Sequence, residues 1–104
     1  RDIGQAVFYY TKGCDRDNGW ACSNLARKYD RGIGVEKDKK KAAELFKKGC
    51  KFEHPDGCAG YGWLLYHGQQ FQKDEKKGIK LLQRGCKEGV GWSCKELQKI
   101  SSKK

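Results

Sequence analysis

Six cysteines carry the most explicit chemistry in this chain. Cys14, Cys50 and Cys86 stand 36 residues apart, as do Cys22, Cys58 and Cys94, giving three Cys-x7-Cys pairs with none left over. An even set at fixed spacing reads as the disulfide framework of an oxidising compartment. Zinc would ask for pairs two to four residues apart, and only His54 and His67 could complete a ligand set, so no metal is expected. Reduced thiols packed in a core are the other alternative. The glycine-containing stretches Gly32-Ile33-Gly34 and Gly68-Gln69-Gln70 lack both phosphate-binding patterns and read as turns, so no cofactor is expected either.

The cysteine interval extends to the whole chain. A shift of 36 residues also superposes Gly13, Gly49 and Gly85, then Asp2, Asp38 and Asp74, then Leu25, Tyr61 and Leu97, and Gly32 with Gly68. A period between 20 and 50 residues marks a solenoid, in which each unit buries its apolar face against its neighbour. Residues 1–104 are expected to form a single array. Apolar runs fall far short of the roughly 20 residues that cross a bilayer, so no membrane insertion is expected. The chain begins at Arg1, which reads as a mature or trimmed form from which any export signal would already be gone.

Twenty-three Lys and Arg against thirteen Asp and Glu leave a net charge of +10. That excess permits nucleic acid, anionic membrane or an acidic protein as partner. Lysines recur in every repeat at positions suited to solvated helix faces, without a nucleic-acid motif. They read as a solubilising surface, and no nucleic acid is expected.

Periodicity predicts helices at about 2–14, 20–31, 38–50, 56–67, 74–86 and 92–101. In the first, Asp2 is a candidate N-cap, and Ala6, Tyr9, Tyr10 and Gly13 share a face. Ala42, Leu45, Phe46 and Gly49, then Gly78, Leu81, Leu82 and Gly85, repeat that face. Cys22, Leu25, Ala26 and Tyr29 form the stripe of the second helix type, with Pro55 near the start of its next copy. Gly32 and Gly68 read as left-handed C-caps. Ile3, Val7 and Phe8 make the first helix apolar on a second face. That leaves end-to-end contact open, although a monomer is expected.

The run Leu25-Ala26-x-x-Tyr29-x-x-Gly32-x-Gly34-Val35-x-Lys37-Asp38-x-x-Lys41-Ala42-x-x-Leu45-Phe46-x-x-Gly49-Cys50 resembles a Sel1-like repeat, and the cysteine register is similar to its disulfide-rich branch, the Helicobacter cysteine-rich proteins. The resemblance implies an all-α fold of TPR-like αα-hairpins stacked in a right-handed superhelix. It also implies one disulfide per repeat, joining adjacent helices as Cys14–Cys22, Cys50–Cys58 and Cys86–Cys94. Treating every unit alike selects the same set among fifteen connectivities. The family further implies secreted or periplasmic binding and adaptor modules of the bacterial envelope. Some cysteine-rich members are penicillin-binding proteins or β-lactamases; a zinc route would need a His cluster that two histidines do not supply, and a serine acyl-enzyme would need Ser-x-x-Lys at a helix start. Ser23 and Ser93 lack that lysine, and Ser101-x-x-Lys104 sits at the end of the chain. No enzyme activity is expected.

A non-enzymatic module that binds a protein or peptide is therefore expected, with a β-lactam-binding protein or β-lactamase, or an inhibitor or immunity-type partner of a toxin or lytic enzyme, as alternatives. Helical arrays bind through the concave face lined by the first helix of each pair. On that face the expected binding residues are Trp20, Arg27, Asp30, Trp63, Tyr66, Trp92, Lys95 and Lys99. Trp20, Asp56 and Trp92 make one row, and Arg27, Trp63 and Lys99 another. All three tryptophans fall in this set, and tryptophan dominates interface hot spots. The basic residues beside Trp63 favour an acidic partner.

Overall fold

A computed structural model describes residues 3–102, the side chain of Ile3 excepted. The expected cap Asp2, the Ile3 side chain and Lys104 lie outside the described residues. Six helices follow one another: α1 (Ile3–Asp15), α2 (Gly19–Arg31), α3 (Lys39–Lys51), α4 (Pro55–His67), α5 (Glu75–Lys87) and α6 (Gly91–Ser102). Each packs on its sequence neighbours, and α2 also touches α4. The described residues contain no strand, and the chain is an αα-hairpin solenoid about 44 Å long.

Local chemistry fixes the helix ends. Asp38 and Asp74 accept hydrogen bonds from the amides of Lys41 and Lys77, so α3 and α5 begin one residue after the aspartates. Asn18 caps α2 in the same way through the Ala21 amide, whereas α4 opens with Pro55, whose ring fits the first turn. Gly32 and Gly68 close α2 and α4 in left-handed conformation, at φ 68° and 67°. Reversal of the chain there needs a residue without the Cβ penalty.

The cysteines pair as Cys14–Cys22, Cys50–Cys58 and Cys86–Cys94, with Cα atoms 4.5, 4.3 and 4.8 Å apart. Each bridge ties the end of one helix to the first turns of the next. Cys14, Ala21, Cys22 and Leu25 form a buried cluster against which Val7, Tyr10, Tyr29 and Leu45 pack. Val7 thus faces the array, while Phe8 is 54% exposed.

Small residues set the spacing between helices. A Cβ on Gly62 would lie 2.8 Å from the Gly78 carbonyl oxygen, and one on Gly78 would lie 2.7 Å from the Gly62 carbonyl oxygen. The two backbones therefore touch where α4 crosses α5, and Leu82 beside them is fully buried.

Candidate functional site

Where α2 and α4 diverge above α3, their small residues leave a groove of about 470 Å³. Its floor is Ala42 and Ala43, each 1% exposed, together with the ring of Phe46. That ring packs against Gly60, where a Cβ would meet it at 2.6 Å. Arg27, Asp30 and Arg31 of α2 form one wall, and Trp63 and Leu64 of α4 the other. Gln69, Gln70, Lys39 and Trp92 complete the rim. The Trp63 indole is braced by the His67 imidazole, with ring centres 4.2 Å apart.

Charge at this rim is mostly paired. Arg27 bridges to Asp56 at 2.9 Å, and Lys39 to Asp30 at 2.9 Å. Arg31 makes no ion pair among the described residues, so the groove offers apolar area edged by one uncommitted cation. Such a site can take an apolar or aromatic anchor and hold a carboxylate at its edge.

Of the residues expected to bind, Arg27, Asp30, Trp63 and Trp92 line this groove. The others lie elsewhere. Trp20 is 54% exposed and packs edge-on against Tyr10, with ring centres 5.4 Å apart. Tyr66 stands edge-on to His67 at 5.1 Å, and Lys99 pairs with Glu96 on its own helix. Lys95 is exposed on α6 outside the lining. Sequence reasoning missed the floor, because Ala42, Ala43 and Phe46 belong to α3, the second helix of a pair. The signal available was the adjacent Ala42-Ala43, two small residues where the next repeat has Gly78-Ile79.

Ser23 and Ser93 are structural. Ser23 is 1% exposed, and its hydroxyl donates to the Gly19 carbonyl at 3.0 Å. His54 Nδ1 lies 3.1 Å from the Ser23 Oγ, and assigning the hydroxyl proton to the Gly19 carbonyl makes the imidazole the donor of that pair. A general base needs the reverse polarity. Ser93, fully buried, donates to the Leu82 carbonyl at 2.6 Å. Among the described residues, no group of three or more His, Cys, Asp and Glu could hold a metal, and no helix is long and apolar enough to cross a membrane.

Antiparallel helices with a period of 36 residues, bridges from α1 to α2, α3 to α4 and α5 to α6, and an open groove between α2 and α4 define a disulfide-stapled αα-hairpin solenoid. The Sel1 repeat model matches residues 1–18, 21–51 and 55–90, and the chain belongs to that family. Sel1 repeat proteins are generally protein-interaction modules and are typically non-enzymatic.

Among solved structures, Helicobacter pylori cysteine rich protein B is 31% identical with a TM-score of 0.79, over 93% of this chain and 73% of that one. A Sel1 repeat protein from Oxalobacter formigenes is 28% identical with a TM-score of 0.81, over 92% of this chain and 39% of that one. Among curated proteins, the cytochrome c oxidase assembly factor 7 homolog of Drosophila melanogaster is 42% identical over 42 residues, 40% of this chain. The match to that fly protein spans only 16% of its length, and the match to assembly factor 7A of Xenopus laevis, 36% identical over 43% of this chain, spans 20%.

Proposed function

We propose that the chain is a protein- or peptide-binding module that takes its ligand in the groove between α2 and α4, with Trp63 as the central contact. The observation that carries this is the placement of Trp63 and Trp92 on the lining of an open apolar groove, where neither indole is consumed by the core. Large aromatics held rigidly at a groove supply contact area at low entropic cost. The favoured ligand is a short segment with an aromatic or aliphatic anchor and a carboxylate near Arg31. Three bridges and the likeness to a Helicobacter cysteine-rich protein favour an extracytoplasmic, secreted or periplasmic setting. A β-lactam acyl-enzyme receives no support, because Ser23 and Ser93 are buried and bonded to backbone carbonyls, and Ser101 and Ser102 close α6 instead of opening a helix.

Selection of peptides from a random display library on the oxidised protein tests the proposal. Selected sequences should share an apolar anchor with acidic residues beside it. Trp63→Ala should weaken them at least tenfold, because truncation of a central tryptophan removes about 2 kcal/mol or more. Selected peptides that bind Trp63→Ala as well as the parent would remove the groove from consideration.

A further inference from the structure

The positive charge is concentrated on two helices. α3 carries six lysines against one glutamate, and α5 four lysines and one arginine against one glutamate, so together they hold +9 of the chain's +10. Helical spacing places Lys40, Glu44, Lys47 and Lys51 on one stripe of α3. Their counterparts 36 residues on are Lys76, Lys80, Gln83 and Lys87 of α5, and every one of these side chains is exposed. The opposite stripes, with Ala42 and Gly49 and with Gly78, Leu82 and Gly85, are buried. The lysine rows therefore look away from the groove.

The corresponding stripe of α1, Gly4, Phe8, Thr11 and Asp15, carries no lysine. Phe8 occupies the place of Glu44 and Lys80 and is 54% exposed, with Tyr9 beside it at 59%. The two rings meet edge to face at 5.4 Å, and the Lys12 ammonium stands 5.2 Å from the Phe8 ring.

We propose that this outer face docks on the surface of an anionic phospholipid bilayer, with the lysines of α3 and α5 at the headgroups and Phe8 and Tyr9 in the interfacial layer, and with no segment crossing the membrane. A row of basic residues beside exposed aromatics supplies the two signals, charge and apolar contact, that stable peripheral binding needs.

The cations suit that partner better than the other polyanions. Arg84, the guanidinium of these two helices, is already engaged by Glu53 and Glu88, so the uncommitted charges are hydrated lysine ammonium groups suited to diffuse attraction rather than bidentate recognition. Tyr61 and Phe71 lie beneath this face, but they pack edge to face at 5.2 Å with the Lys47 ammonium over both. They are therefore not free platforms for stacking bases. A specific acidic protein would need an apolar anchor at the centre of the patch, where Glu44, Lys47 and Lys80 stand instead.

Flotation of the oxidised protein with vesicles tests the proposal independently of the groove. The protein should float with equimolar phosphatidylcholine and phosphatidylglycerol, fail to float with phosphatidylcholine alone, and be released by salt. Lys40→Gln, Lys76→Gln and Lys80→Gln should each lower partitioning about five-fold, and Glu44→Gln should raise it about as much. Phe8→Ser should weaken binding by a margin that salt does not change. Equal flotation with both vesicle types, no flotation with either, a triple lysine variant that partitions like the parent, or capture of RNA or polyglutamate in place of vesicles would each overturn it.

Discussion

Gly78→Ala probes a backbone-to-backbone contact between α4 and α5. The added methyl would lie 2.7 Å from the Gly62 carbonyl oxygen, 2.7 Å from the Tyr66 amide nitrogen and 2.9 Å from the Tyr66 Cα. Ordinary contact begins at 3.4 Å, so α4 and α5 must separate by about 0.7 Å, the difference between 3.4 and 2.7 Å. The obstructing atoms are backbone held in a helix and cannot rotate aside. Overpacking of this kind costs about 1–3 kcal/mol, and the gain in helix propensity from Gly to Ala returns about 1 kcal/mol. With rigid neighbours the strain lies at the upper end, for a net loss of about 2 kcal/mol. In a chain of this size that lowers Tm by about 8–16 °C. Gly91→Ala is the control, since no atom lies within 4 Å of its Cβ and the position begins α6. Thermal melts followed by circular dichroism, without reductant, should show a large fall for Gly78→Ala and none for Gly91→Ala. A Gly78→Ala variant as stable as the parent would refute the close approach of α4 and α5.

Three further perturbations test separate parts of the structure. Cys50→Ala with Cys58→Ala opens a loop of about nine residues and should cost roughly 2.5 kcal/mol of chain-entropy stabilisation, read as a fall in the urea midpoint; an unchanged midpoint would contradict a formed bridge. Ser23→Ala strands the Nδ1–H of His54 inside the seam between α2 and α4 and should cost about 1–2 kcal/mol in the same assay, whereas a neutral result would return His54 to solvent. Asp56→Asn releases Arg27 from a half-exposed pair, so it should change stability by less than about 1 kcal/mol while strengthening the binding of acidic peptides, as isothermal titration would register.

The repeat made the helical architecture legible. Three copies of one unit superpose cysteines, glycines and aspartates, and each has a single structural use: bridge, close approach or cap. Gly49 and Gly85 recur because a Cβ would collide with Gly19 and Ser23 in one case and with Ala59 and Ser93 in the other. The groove was less legible, because its shape depends on where the helices diverge rather than on which residues lie 36 apart. Trp20 occupies the same repeat position as Trp92, but its indole packs edge-on against Tyr10 of α1 and lies outside the groove lining. Arg27 reads as a free cation in the sequence and is paired in three dimensions, since Asp56 comes from the next unit. The lysines recur in every repeat when read along the chain, but folding sorts most of them onto α3 and α5. Only the three-dimensional structure separates a basic outer face from a largely charge-balanced groove.

The indole N–H signals of Trp20, Trp63 and Trp92 offer the most direct test of where the ligand sits. Three tryptophans give three resolved proton resonances, each assignable by a single Trp→Phe variant. On titration with a selected peptide, Trp63 and Trp92 line the groove and should shift together in proportion to saturation, while Trp20, outside it, stays fixed. A Trp20 signal that moves while Trp63 and Trp92 stay in place would put the ligand on another face and contradict the proposed groove.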